Sequence, residues 1–154
     1  MCIRDSYDPD LWFDVVPFTW SDNTSYSGGH ASVGHAQMAG GTGQDVNTNN
    51  VNLAVNFGGS VRNLSLLFGE YGGNVNVEIN GDFRNIANLA DIDGSTVGGV
   101  NVFVVNGFGQ DAGRLILDGS VQTFVIGGQE FWIDHVCFVR LFRVFLPVVF
   151  RTYP

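Results

Sequence analysis

At 154 residues, with 45% hydrophobic and 14% charged residues, the chain is long enough to bury one substantial core and too apolar to be disordered. Its 21 glycines and the lack of helical periodicity argue against a helical bundle and for an all-β domain. The formal net charge is -8 and no lysine occurs, so the cations that neutralise phosphates are missing and nucleic acid is not an expected partner.

Met1 to Ser6 reads Met-Cys-Ile-Arg-Asp-Ser, which resembles the translated adapter that prefixes open reading frames from metagenomic assemblies; residues 1-6 are expected to be a non-native leader. No secretory signal pattern is visible in residues 1-20. Cys2 and Cys137 are the only cysteines, one in that leader and one in an apolar run, and they are not expected to pair. A buried free thiol at Cys137 fits an oxidising or a reducing compartment.

The domain proper is expected over residues 7-138. Leu11 to Trp20 is an aromatic, β-prone run broken by Pro17, which marks an edge strand. Ser21 to Gly29 is turn-forming, and Asn23-Thr24-Ser25 and Asn63-Leu64-Ser65 match the glycosylation pattern. His30 to Met38 reads as a short strand and Ala39 to Asn50 as a loop. Val51 to Phe57 alternates apolar residues with Asn52, Ala54 and Asn56, the period of a half-buried strand. Val61 to Gly69 follows, then a turn at Glu70 to Gly73, then the clean alternation Asn74 to Asn80. Asn80-Gly81 is a hairpin signal, because both residues tolerate positive φ. Phe83 to Leu89 pairs back.

Asp91 to Thr96 reads as a polar loop, and Val100 to Val105 as a strand ended by Asn106-Gly107. Gly113 to Asp118 and Val121 to Ile126 flank Gly119-Ser120 as an expected hairpin. Phe124 to Phe138 is read as two strands punctuated at Gly127-Gly128, the second closing a sheet. Gly72 to Gly81 and Gly98 to Gly107 share a Gly-Gly entry and an Asn-Gly exit, which is common hairpin grammar and no repeat. From Val139 onward the composition turns apolar and basic, and residues 139-154 are read as an atypical tail: an out-of-frame or truncated end first, with a basic amphipathic tail at a membrane surface or a buried last strand as the alternatives. Arg140 and Arg143 interrupt it well short of the roughly 20 residues a membrane helix needs, so no transmembrane span is expected. About nine or ten short strands fit a single antiparallel β-sandwich, jelly-roll-like.

Leu66-Leu-Phe-Gly-Glu-Tyr-Gly-Gly73, Asn80-Gly-Asp-Phe83, Ile126-Gly-Gly-Gln-Glu130 and Trp132-Ile-Asp-His-Val136 together resemble extracellular β-sandwich modules of environmental bacteria. The Ile-Asp-x-Val strand is also similar to the final strand of many carbohydrate-binding jelly rolls. The resemblance covers roughly residues 51-138. It implies an extracellular or cell-surface location, and it would make Asp134 a ligand of a structural calcium ion.

Asp91 and Asp93, with Ser95 and Thr96 nearby, are a second candidate calcium site, since hard cations want several convergent oxygens. Ca2+ is the one cofactor candidate. Glu130 and Asp134, four apart on a strand, share a face but stand ~13 Å apart along the backbone, beyond the roughly 5 to 9.5 Å of glycosidase carboxylate pairs. His30, His35 and His135 make a metal site only if the fold assembles them. No nucleophile elbow, phosphate loop, nucleotide fingerprint or zinc-protease motif occurs. Trp12, Trp20, Tyr71 and Trp132 are the candidate sugar platforms, because flat rings stack on pyranose faces while amides and carboxylates bond hydroxyls. Tyr71, Trp132 and Glu130 are the expected ligand-binding residues.

The expected function is a noncatalytic extracellular module that binds carbohydrate or another cell-surface polymer. The alternative is a structural or adhesive module without a specific small ligand, and a glycoside hydrolase fragment ranks third.

Overall fold

The computed structural model describes residues 2-3, 11-107 and 111-141. The strands in chain order are β1 (Cys2–Ile3), β2 (Trp12–Thr19), β3 (Ser25–Tyr26), β4 (His30–Gly34), β5 (Asp45–Asn49), β6 (Val51–Asn56) and β7 (Val61–Glu70). There follow β8 (Val75–Ile79), β9 (Asp82–Ile86), β10 (Thr96–Val97), β11 (Val100–Asn106), β12 (Asp111–Val121), β13 (Phe124–Gly128) and β14 (Phe131–Arg140). One 3-10 turn, Leu89–Ile92, lies between β9 and β10.

The strands form two sheets. An eight-stranded sheet runs β10-β11-β12-β7-β14-β5-β4, with β1 added against β14, and a six-stranded sheet runs β3-β2-β6-β13-β8-β9. Residues of both sheets share one buried core. Hairpin pairs such as β4-β5, β8-β9 and β11-β12 stay within one sheet, while β5 to β6, β6 to β7, β7 to β8, β12 to β13 and β13 to β14 cross from one sheet to the other, as in a jelly-roll β-sandwich. Every pairing is antiparallel among the described strands.

Alternation explains the core. Leu53 and Val55 of β6, Leu64, Leu66 and Phe68 of β7, Val75, Val77 and Ile79 of β8, and Phe131 and Ile133 of β14 all point between the sheets and are buried. Phe68 and Phe131 stack there with centroids 6.0 Å apart. Each such ring or aliphatic chain contributes about 1.5 to 3 kcal/mol when fully buried. At the margin formed by β2 and β4 the cover is incomplete. Val15 and Val33 are 58% and 63% exposed, although they pair with the inward-facing Leu53 and Val46.

Several expectations need correction. Asp45–Asn49, read as loop from its Asn and Thr content, is β5, because pairing with β4 and β14 outweighs low intrinsic β-propensity. Gly119-Ser120 does not turn a hairpin. Strand β12 runs through it, with a register shift between Leu117 and Ser120, and pairs with β7, while β13 lies in the other sheet. Gly127 and Gly128 likewise belong to β13, between β6 and β8; the corner comes after them, at Gln129 and Glu130. The 3-10 turn Leu89–Ile92 takes in the end of the expected strand Phe83 to Leu89, which in fact stops at Ile86, and the start of the expected loop Asp91 to Thr96. Strand β14 continues through Val139 to Arg140, past the expected boundary at Phe138.

Cys137 is disulfide-bonded, not a free thiol, and Cys2 stands directly across from it in the β1 and β14 register. The Asn-Gly expectation holds in detail, with φ of 52° at Asn80 and 82° at Gly81. Residues 142-154 of the atypical tail, and Met1, 4-10 and 108-110, lie outside the described residues. Among the described residues no helix is long and apolar enough to cross a membrane.

Candidate functional site

The sequence candidates fall into two groups. Tyr71, Trp132 and Glu130 are brought together: Tyr71 N–H donates to the Glu130 carbonyl at 2.9 Å, and the Tyr71 and Trp132 rings meet edge to face at 5.3 Å. Both rings are half-buried. The Tyr71 hydroxyl donates to the Met38 carbonyl at 2.9 Å, and a side chain at Gly69 would run into that carbonyl and the Tyr71 ring. Tyr71 thus pins the segment around Met38 over the eight-stranded sheet, and its hydroxyl is committed to that contact. Burial, with a smaller push from Asp111, raises its pKa above the ordinary 10.0.

Each of the three aspartates accepts backbone hydrogen bonds. Asp91 Oδ2 accepts from Ala87 N–H and Asn88 N–H at 3.1 and 3.0 Å. Asp93 Oδ1 accepts from Val104 N–H at 2.8 Å, and Asp134 Oδ1 from the adjacent His135 N–H at 2.6 Å. Calcium needs six to eight oxygens converging on one point. Among the described residues no group of three or more His, Cys, Asp or Glu side chains is arranged to hold a metal. Each of these three carboxylates commits an oxygen to a backbone N–H. Glu70, which the sequence places in a turn, is 2% exposed and accepts from Leu89 N–H at 2.8 Å, holding the 3-10 turn to the end of β7.

The feature that sequence reasoning missed is on the outer face of the six-stranded sheet. Pairing puts Asp14, Ala54, Val125, Glu78 and Phe83 in one row across β2, β6, β13, β8 and β9. The next row is Val16, Asn52, Gly127, Asn76 and Asn85. On the other side, Trp12 lies opposite Asn56. Small side chains in the middle of the first row leave a trough.

Two adjoining hollows of about 320 and 550 Å³ make it up, sharing Glu78 and Val125 as common lining. Asp14, Asn56, Gln122 and Thr123 line the first; Pro17, Thr19, Asn52 and Phe83 line the second. Trp12 and Phe83, 46% and 39% exposed, stand on strands four spacings apart, which is ~19 Å.

The second row builds one wall. Asn52 donates to the Pro17 carbonyl at 2.8 Å and to Asn76 Oδ1 at 3.1 Å. Asn76 brackets Thr19, accepting from its N–H at 2.8 Å and donating to its carbonyl at 2.9 Å, and Asn85 donates to that same carbonyl at 2.8 Å. Gly127 is required here, since a Cβ would meet the Val51 carbonyl and come within 2.7 Å of Asn52 Cα. The end of β2 is thereby strapped over the sheet as a fixed rim.

Asn80 secures the opposite end. Its amide donates to the Gly98 and Ser120 carbonyls, both at 2.9 Å, and its oxygen accepts from Gln122 N–H and Thr123 N–H at 2.7 and 3.3 Å. The turn that carries Gln122 and Thr123 into the trough is held by this one side chain.

An open trough with rings at its margins and amides and carboxylates within it can hold an extended polar chain by stacking and hydroxyl hydrogen bonds. Asp14 and Glu78 are three strand spacings apart, ~14 Å, wider than the roughly 5 to 9.5 Å at which paired carboxylates hydrolyse glycosides. No protein-family model, no curated protein and no solved structure matches this chain.

Proposed function

We propose that the protein is a noncatalytic, extracellular or cell-surface module that binds a carbohydrate or similar polar polymer along the outer face of its six-stranded sheet. The observation that carries this reading is the trough itself: exposed Trp12 and Phe83 about 19 Å apart, with Asn56, Gln122, Asp14 and Glu78 between them. Its rims are tied by amide hydrogen bonds, so little is lost to ordering when a ligand arrives. The wide spacing of Asp14 and Glu78 supports binding over hydrolysis.

The test is a binding screen against immobilised and soluble polysaccharides with Trp12→Ala and Phe83→Ala beside the wild type. Each loss of a stacking ring should weaken binding about tenfold, the equivalent of roughly 1.4 kcal/mol. Binding that survives the double substitution, or wild-type protein that binds none of the polymers, refutes the reading.

A further inference from the structure

The trough holds carboxylates that have no counter-charge among the described residues. Asp14 and Glu78 line it from β2 and β8, and at their level β6 and β13 contribute only Ala54 and Val125. The cations among the described residues are elsewhere. Arg84 is bound to Asp82 at 2.9 Å, while Arg62, Arg114 and Arg140 all lie on the eight-stranded sheet, across the core. The three histidines also lie away from the trough: His30 on β4, His35 in the loop between β4 and β5, and His135 on β14.

A chain running from Trp12 to Phe83 passes both carboxylates. Hydroxyl groups meeting them donate charge-assisted hydrogen bonds. A carboxylate or sulfate on the same chain meets two like charges with no cation beside them among the described residues, and close like-charge contact lowers a binding constant on the order of tenfold or more.

We infer that Asp14 and Glu78 set the ligand class of this trough, which accepts an uncharged linear polysaccharide and rejects its anionic counterparts such as uronates and sulfated glycans. The inference rests on the binding function proposed above. The two carboxylates act as a charge filter: specificity comes from the repulsive element as much as from the attractive one.

Affinity electrophoresis with two matched pairs tests it, hydroxyethyl cellulose with carboxymethyl cellulose and galactan with polygalacturonate. The wild type is expected to bind a neutral member at least about tenfold more tightly than its anionic partner at low salt. Raising the salt should narrow that ratio, because screening weakens the repulsion. Asp14→Asn with Glu78→Gln should narrow it about tenfold at low salt, each single substitution giving part of the effect, with melting curves confirming folded protein. Equal binding of neutral and anionic members by the wild type, or a ratio that neither salt nor the substitutions move, overturns the charge filter and leaves polymer binding standing. Failure to bind any of the four polymers overturns both.

Discussion

Asn80 is where a single substitution should do most damage for its size. Its side chain makes four hydrogen bonds, to the Gly98 turn, the end of β12 and the link from β12 to β13, and the residue itself sits at φ 52°. Three of those bonds are solvent-exposed and one is partly buried. Water can replace the exposed ones, so they fall near the low end of the usual ~0.5 to 1.5 kcal/mol and the buried one near the top. Together they amount to about 2 to 3 kcal/mol, and they are not strictly additive because they share one amide.

Asn80→Gly removes the bonds and keeps the backbone geometry. Asn80→Ala adds roughly 1 kcal/mol for a Cβ in the left-handed region. Asn80→Asp keeps both acceptor bonds and loses both donors. At about 2 to 4 °C per kcal/mol for a chain of this size, the melting temperature of Asn80→Ala should fall by roughly 6 to 15 °C, with Gly milder and Asp mildest. Thermal denaturation followed by circular dichroism measures the order. A fall of less than about 2 °C for Ala, or Asp worse than Ala, refutes the view that this amide clamps the turns around Gln122 and Thr123.

Gly127→Ala should cost about 3 kcal/mol in urea unfolding, because the new methyl meets the Val51 carbonyl and displaces Asn52 from the Pro17 strap; an unchanged midpoint would remove the strap from the account. Tyr71→Phe should cost about 1 kcal/mol, the hydrogen bond to Met38. It should also flatten the alkaline limb. The folded-state pKa of Tyr71 is raised, so its contribution is complete below about pH 10 and is lost as pH climbs through the raised value. Equal alkaline slopes for wild type and variant would contradict this. Asp91, Asp93 and Asp134 each already accept a backbone hydrogen bond, so millimolar calcium should leave the melting temperature within about 1 °C, whereas Asp91→Ala should lower stability by about 1 kcal/mol with or without the ion. A calcium-dependent rise would show that a site forms.

The strands were legible because alternation is written locally: Val75, Val77 and Ile79 against Asn74, Asn76 and Glu78 can only be one buried face and one outer face. The two Asn-Gly turns were equally plain, since few residues other than Asn and Gly tolerate φ near 60°. What alternation cannot carry is adjacency. Asn52 and Asn76 face each other across Gly127 only because β13, far later in the chain, inserts between β6 and β8. The same insertion brings Asp14 and Glu78 into one row, although 64 residues separate them.

The trough could not be read from any single stretch for that reason, whereas Tyr71, Trp132 and Glu130 drew notice because two of them share a strand run. The glycine pair at 127 and 128 shows the mechanism most plainly. In sequence two glycines signal a turn. In the sheet they are the thin end of a central strand, and the missing side chain at Gly127 is what lets the Asn52 and Asn76 amides join across it. A glycine that serves close approach and one that serves a turn look alike until the partner strand is known, so the outer face of the six-stranded sheet emerges only when the pairing is in hand.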